Sequence, residues 1–167
     1  MFRVLVLAAA LCAPALGFAE DGDPVTEFAN DDAAMTAAQQ AAKDTLPLFL
    51  INATDSDGYG VASAAVKVAF DIGNNQSEVI WVGPFAWDGV EGMMGLLANQ
   101  PNFMGDLAAG DRVDFDITMV RDWSVSSPNG QIYGNYTTRV MLPLLDPETA
   151  AQLTSALTEN PVPDDWN

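Results

Sequence analysis

The spacing of apolar residues near the start of the chain predicts an amphipathic helix over residues 31–46. Met35, Ala38, Ala42 and Leu46 recur every three or four positions, so they share one side of a helix. The many alanines beside this stripe would let the helix lie close to the surface that it covers.

The flanking residues predict where this helix begins and ends. Asn30 is a suitable N-cap, and Asp31 and Asp32 would lie favourably at the positive end of the helix dipole. Pro47 lacks a backbone N–H, so we expect it to end or restart the helix, with residues 48–51 forming a short apolar turn.

Three strand candidates follow a turn-rich loop at residues 52–60. Residues 61–72 are rich in β-branched residues and alanine. Residues 78–87 are apolar on both faces, which predicts a central strand covered by the helix. The sequence Gly-Asn-Asn at 73–75 predicts the turn between these two strands, and residues 92–98 form a weaker strand candidate.

The last third of the chain combines alternation with a turn signal. Apolar residues alternate with polar ones over residues 112–119, which predicts a strand with one buried face. Asn129-Gly130 is a strong hairpin signal, so a second strand is expected over residues 131–142.

A two-residue Asn-Gly turn would fix the register of this hairpin. Trp123 would then lie opposite Tyr136 on the buried face. On the other face, Asp122 and Arg139 would come within reach of an ion pair. The face predicted to be buried carries Phe115, Ile117, Met119, Trp123, Tyr136, Val140 and Leu142.

The C-terminal part predicts a short helix and a tail. Asp146-Pro147-Glu148 combines an N-cap, a proline at the first helical position and an early acid. We expect residues 30–158 to form a single domain and residues 159–167 a frayed acidic tail.

The N-terminus has the features of a signal peptide. Arg3 supplies a positive charge, and residues 4–14 are apolar but too few to span a bilayer. Small residues then precede a cleavage site after Ala19. We therefore expect a signal peptide at 1–19, a periplasmic or secreted product, and a mobile acidic lead-in at 20–29.

The composition excludes several kinds of chemistry. The chain has no histidine, and its one cysteine, Cys12, lies in the predicted signal peptide. Histidine-dependent triads, thiol nucleophiles and zinc sites with nitrogen or sulfur ligands are therefore not expected, and neither is a cofactor. The formal net charge of −17 disfavours nucleic acid as a partner. We expect a monomer with no membrane span once the signal peptide is removed.

Carboxylates are the remaining candidates for catalysis. Glu78, Asp88, Glu91 and Asp122 each lie near aromatic residues or glycines in the sequence. A glycosidase needs two carboxyl groups at a defined separation, so a carboxylate-dependent hydrolase acting on a cell-envelope polymer is an alternative function. Residues 55–58 resemble part of a calcium loop but lack its first ligand and its glutamate, which favours a polar turn and no metal site.

Several short motifs occur together in an order that resembles a known family. They are Glu78-Val79-Ile80-Trp81-Val82, Gly95-x-Leu97-x-Asn99-x-Pro101, Gly110-Asp111-x-Val113, Asp122-Trp123 and Gly134-x-Tyr136-Thr137-x-Arg139. Over residues 33–142 the chain resembles the bacterial domain of unknown function 2314, to which YegJ-like proteins belong. The resemblance implies an α+β domain, commonly exported or attached to other modules, with no established activity. Members often carry histidine where this chain has Val79, which argues against an essential role for that histidine.

Together these observations predict an α+β fold. We expect a mostly antiparallel sheet of about four to six strands, packed against the N-terminal helix, and a short C-terminal helix. Because common catalytic side chains are missing, the favoured function is a non-catalytic binding or interaction module for an unknown protein or envelope ligand. The candidate ligand-binding residues are Trp81, Trp87, Asp122, Trp123, Tyr136 and Arg139.

Overall fold

The computed structural model describes residues 33–166, which form a six-stranded sheet and three α-helices. The helices are α1 (Ala33–Ala53), α2 (Tyr136–Met141) and α3 (Pro147–Ala156). The strands are β1 (Ala64–Gly73), β2 (Gln76–Trp87), β3 (Gly92–Leu97), β4 (Arg112–Asp116), β5 (Val120–Ser126) and β6 (Ile132–Gly134). The predicted signal peptide, the acidic lead-in and the helix start at Asn30 lie outside the described residues.

Neighbouring strands of the sheet are antiparallel, and their order is β4-β3-β2-β1-β5-β6. Helix α1 covers one face of the sheet, and its residues Ala42, Leu46 and Phe49 join the hydrophobic core there. β2 lies inside the sheet, as its apolar pattern predicted. The predicted α+β fold is confirmed.

Pro47 does not end α1, contrary to the prediction. The helix continues beyond it to Ala53, because Phe49 and Leu50 are buried on the side that already carries Leu46. Burial of a large apolar side chain contributes about 1.5–3 kcal/mol, so two of them offset the roughly 3 kcal/mol that proline costs inside a helix.

The turn between β1 and β2 lies where the sequence predicted it. Asn74 and Asn75 have φ values of 53° and 59°, which are the left-handed values of a two-residue type I′ turn. Gly73 and Gln76 pair on either side of it. Asparagine tolerates this conformation better than most residues, so local chemistry alone fixes the turn.

The β5–β6 hairpin exists, but its register differs from the prediction by one residue. Ser124 lies opposite Gly134. The N–H of Asn135 donates to the carbonyl of Trp123 at 2.8 Å, so Asn135 occupies the position that was predicted for Tyr136.

Pro128 explains this shift. It occupies the second position of a type I turn, where the fixed φ of proline is favourable, and the N–H of Gly130 donates to the Ser127 carbonyl at 2.9 Å. Gly130 has a φ of 83°, whereas Asn129 is not left-handed. The connection is therefore a type I turn followed by a left-handed glycine, which is one residue longer than an Asn-Gly turn.

The second strand of this hairpin is much shorter than predicted. Asn135 adopts a left-handed φ of 55° directly after β6, and the chain continues as α2. Val140 therefore lies in a helix, and Leu142 begins a 3₁₀ turn, Leu142–Leu144. Residues 131–142 were wrongly predicted as one strand.

The alternating segment before this hairpin is also interrupted. β4 ends at Asp116, and Ile117–Met119 form a 3₁₀ turn. The hydroxyl and N–H of Thr118 hold the pKa of Asp116 below its ordinary value. β4 lies at one edge of the sheet and β5 near the other, so Phe115 and Trp123, which were predicted on the buried face of one strand, lie in two separate strands.

Trp123 lies at the centre of the core. Its ring stacks on Phe49 with the ring centroids 4.8 Å apart and on Trp166 with the centroids 5.8 Å apart. The ring of Tyr136 meets it edge-on at 5.9 Å. The predicted contact between Trp123 and Tyr136 is thus present, although it arises from a helix rather than from paired strands.

The C-terminal segment packs against the domain instead of fraying. The N–H of Thr158 donates to the Ile132 carbonyl at 3.1 Å, and the N–H of Gly134 donates to the Pro161 carbonyl at 2.7 Å. These contacts cover the outer edge of β6, and they lead the chain to Trp166.

Helix α3 begins as predicted. The carboxylate of Asp146 accepts hydrogen bonds from the N–H groups of Glu148 and Thr149, and Pro147 occupies the first turn. Hydrogen bonding by Thr149 holds the pKa of Asp146 below its ordinary value.

Candidate functional site

The face of the sheet that points away from α1 exposes large apolar side chains. Val79, Met94 and Leu96 are 49%, 40% and 37% exposed, respectively, and each alternates with residues that face the core. Trp81 lies on the same face and pairs with Lys67 of β1. We call these five residues the open face.

Lys67 lies in a row of three side chains that crosses β2, β1 and β5. The register places it opposite Trp81 on one side and Asp122 on the other. The Lys67 Nζ lies 4.8 Å from the centre of the Trp81 ring, which is within the range of a cation–π interaction. The same Nζ donates a hydrogen bond of 2.9 Å to Thr137 Oγ1.

The Asp122 carboxylate is completely buried and accepts four hydrogen bonds. Its Oδ1 accepts from the N–H groups of Trp123 at 2.9 Å and Tyr136 at 3.1 Å. Its Oδ2 accepts from the N–H of Thr137 at 2.8 Å and from the Thr137 hydroxyl at 2.6 Å. Since Tyr136 and Thr137 begin α2, Asp122 acts in place of an N-cap side chain and starts this helix.

The Thr137 hydroxyl lies between a cation and an anion. It accepts a hydrogen bond from Lys67 and donates one to Asp122. Burial lowers the pKa of Lys67 from its ordinary value of 10.5, and the charge of Asp122 opposes this effect. Among residues 33–166 the one direct ion pair joins Arg112 to Asp114, so the Lys67 ammonium touches no carboxylate there.

The structure places three of the predicted site residues in this row or in the core on the opposite face of the sheet. Trp81 lies on the open face and is partly exposed. Asp122 and Trp123 have 0% exposure, so they build the site and the core without presenting surface to a partner.

The other three predicted residues lie elsewhere. The indole N–H of Trp87 donates to the Val90 carbonyl at 3.2 Å, and the Trp87 ring packs against the core. The Tyr136 hydroxyl shares a hydrogen bond of 3.0 Å with Thr45, and burial raises the pKa of Tyr136. The six residues therefore do not form one continuous surface.

Arg139 does not form the predicted ion pair with Asp122. Its Nε donates to the Gly134 carbonyl at 2.9 Å and its Nη1 to the Thr158 carbonyl at 2.6 Å. Because α2 replaces the predicted strand, Arg139 points to the C-terminal segment and fastens it to β6. Burial lowers the pKa of Arg139.

The four carboxylates considered for hydrolysis lie at three separate places. Glu78 accepts two N–H groups from the connection between β3 and β4. Asp88 accepts two N–H groups within the β2–β3 turn, where Glu91 also lies, and Asp122 holds α2. Asp55 bonds to its own loop, as expected of a polar turn. In the described part of the chain, no three acidic side chains converge in a way that could hold a metal ion.

An open apolar groove of about 560 Å³ lies at the end of β1, away from these residues. None of the six predicted site residues lines it. Its lining consists of Phe70, Asp71, Ile72, Phe103, Met104, Leu107 and Met119.

Sequence reasoning missed the two residues that connect Trp81 to Asp122. Lys67 could have been noticed, since it is the single basic residue of β1 and is flanked by apolar residues on both sides. Nothing in the sequence indicated Thr137, because its position depends on α2, which the pattern did not predict.

The row offers a cation but no accessible nucleophile. Thr137 is 3% exposed and its hydroxyl already donates to Asp122, so this hydroxyl is not an accessible nucleophile. The Lys67 ammonium has three N–H groups and is held at a fixed place on an apolar surface. Such a cation can recognise an oxygen of an incoming group.

Comparisons with known proteins give the family but no activity. No curated protein and no solved structure matches the chain. None of the described helices has the length and apolar character needed to cross a membrane. The sequence profile of a family described as "Uncharacterized protein conserved in bacteria (DUF2314)" matches residues 32–158, which include every described helix and strand and agree with the motif-based resemblance. The chain therefore belongs to the DUF2314 family of uncharacterized bacterial proteins.

Proposed function

We propose that this protein is an exported, non-catalytic binding module of the bacterial cell envelope. Its partner would be a protein or an envelope ligand, and its contact surface would be the open face. Export is supported by the signal-peptide features of residues 1–19.

The exposure of the open face is the observation that carries this proposal. Val79, Met94 and Leu96 come from adjacent strands and leave between a third and a half of their surface in water. Apolar side chains that are grouped on one face mark a site of interaction more often than scattered ones do. Trp81 adds an aromatic ring, which is a common anchor in interfaces.

The alternative of a carboxylate-dependent hydrolase has less support. Such an enzyme needs two carboxyl groups facing one substrate bond. Glu78, Asp88 and Asp122 each hold a different backbone segment. Asp88 and Glu91 share the β2–β3 turn, where both are exposed. No contact within residues 33–166 brings either of them to Glu78 or Asp122.

Capture of a partner by the mature chain tests the proposal. The tag belongs at the N-terminus of residues 20–167, because Trp166 packs in the core. Val79→Lys should abolish capture and change the melting temperature little, since it places a charge on the open face. Val90→Lys is the matched control, because Val90 is 71% exposed in the β2–β3 turn.

The captured component has to be identified by mass spectrometry and bound again in purified form. Equal capture by both lysine variants would contradict the proposal. Export is tested by expressing the full-length chain. Mass spectrometry of the intact protein in the periplasmic fraction should then find Glu20 as the first residue.

A further inference from the structure

We infer that Lys67 is a binding site for a carboxylate group carried on an aromatic or aliphatic body. This inference names the ligand chemistry of the open face, so it rests on the proposed function. It is carried by the surroundings of the ammonium and by the apolar residues beside it.

The ammonium of Lys67 keeps donor capacity that the protein does not use. One of its three N–H groups donates to Thr137 Oγ1 at 2.9 Å. Within residues 33–166 this is the single hydrogen bond that the ammonium makes. The Trp81 ring lies against the ammonium at 4.8 Å and cannot accept a conventional hydrogen bond. Lys67 is half-buried, and the burial that lowers its pKa agrees with incomplete hydration of the ammonium.

Asp122 does not use up this capacity. Its two oxygens already accept four hydrogen bonds, and its nearest link to Lys67 runs through the Thr137 hydroxyl. Burying a cation costs free energy when no anionic group is in direct contact with it. An anionic oxygen that reaches Lys67 from solvent would supply this counter-charge and a charge-assisted hydrogen bond.

The neighbouring side chains indicate what the anion is attached to. Trp81 lies beside Lys67 in the register, and Val79 is two residues away on the same face. Leu96 of β3 lies diagonally across from Trp81, since the N–H of Ala98 donates to the Trp81 carbonyl. Met94 pairs with Ala86 and lies five residues further along β2. A ligand that binds here would place a ring or alkyl group on Trp81, Val79 or Leu96 while its anionic end meets Lys67.

Charge selects a carboxylate over a more highly charged anion. The protein carries a formal net charge of −17, and the buried Asp122 lies close to the site. Both repel a phosphate dianion or a polyanion more strongly than a single negative charge.

Sodium benzoate is a suitable probe, with benzamide as its neutral analogue of the same shape. Each is titrated into the isotope-labelled mature chain, and the Trp81 indole N–H and the Lys67 side-chain signals are followed by NMR. We expect saturable shifts with benzoate and binding of benzamide that is weaker by about tenfold or more.

Lys67→Met should lose the preference for benzoate, because methionine keeps the apolar stem and removes the charge. Arg112→Met is the matched control, since Arg112 is an exposed cation that already pairs with Asp114. It should leave the shifts unchanged. If Lys67→Met fails to fold, Lys67→Gln replaces it, and the titration of the unaltered chain tests the site by itself.

Equal shifts with benzoate and benzamide would overturn the carboxylate site, and so would the absence of shifts with either. Both results leave the proposed function open, because partner capture is measured separately with Val79→Lys. Conversely, benzoate binding at Lys67 together with undiminished capture by Val79→Lys would support the anion site and contradict the proposed function.

Discussion

The two faces of the sheet are built from the same strands but differ in character. Val66, Val68 and Val82 point towards α1 and are completely buried. Lys67 and Trp81 alternate with them along the same strands and are partly exposed. The covered face is held by close packing, whereas the open face is organised around one charge. We therefore expect substitutions on the first face to change stability and those on the second to change binding.

The largest effect should come from Trp123→Ala on the covered face. Trp123 has no exposed surface and contacts three other aromatic rings, so its removal should lower the free energy of unfolding by about 3–5 kcal/mol. Trp81→Ala is the comparison on the open face, and it should cost less than about 1 kcal/mol. Urea denaturation of residues 20–167 measures both. Similar losses would show that the open face also holds the fold together.

Asp122→Asn should have an intermediate effect. The amide keeps one acceptor oxygen but turns its NH₂ group towards the N–H of Thr137, which leaves buried donors unsatisfied at a cost of about 1–3 kcal/mol. Asp114→Asn is the control, because Asp114 is exposed and makes a surface ion pair. It should change the free energy of unfolding by less than about 0.5 kcal/mol. A control as destabilising as Asp122→Asn would mean that net charge, not the hold on α2, causes the loss.

The smallest effect should come from Lys67→Met, and it should depend on pH. Burial lowers the pKa of Lys67 in the folded state below 10.5, and Asp122 only opposes this shift. Between the folded and unfolded pKa values the unfolded chain binds more protons, so the wild type gains stability as the pH rises through that window. Around pH 7 the variant should be equal to the wild type or more stable by about 1 kcal/mol.

This advantage of the variant should shrink as the pH approaches 10.5, which urea denaturation at several pH values would show. Lys43→Met removes a cation from the exposed side of α1 and gives the baseline for the loss of one charge. An advantage of Lys67→Met that grows with pH would contradict the assigned environment.

The two hairpins show how far the sequence could predict this fold. Asn74 and Asn75 act locally, so the first turn was predictable from chemistry within four residues. The second turn contains an equally strong Asn-Gly signal, but Pro128 in front of it selects a different turn. Competition between neighbouring turn residues shifted the register by one position.

The candidate site was predictable only in part for the same reason. Trp81 and Asp122 were predictable as site residues, because one is an aromatic residue and the other an acid within a strand. Both lie in the row that also contains Lys67. Lys67 and Thr137 complete it, but their proximity requires the β1–β5 register and the start of α2. That helix starts because the buried carboxylate of Asp122 on the neighbouring strand β5 accepts its first N–H groups, which no local pattern reveals.

The packing of Trp166 on Phe49 joins the last described residue to the first helix. A chain that is synthesised in order of sequence cannot close this contact until the whole segment from Phe49 to Trp166 is available. Completion of the core therefore has to wait for the C-terminal segment, because a late residue finishes the packing around an early helix.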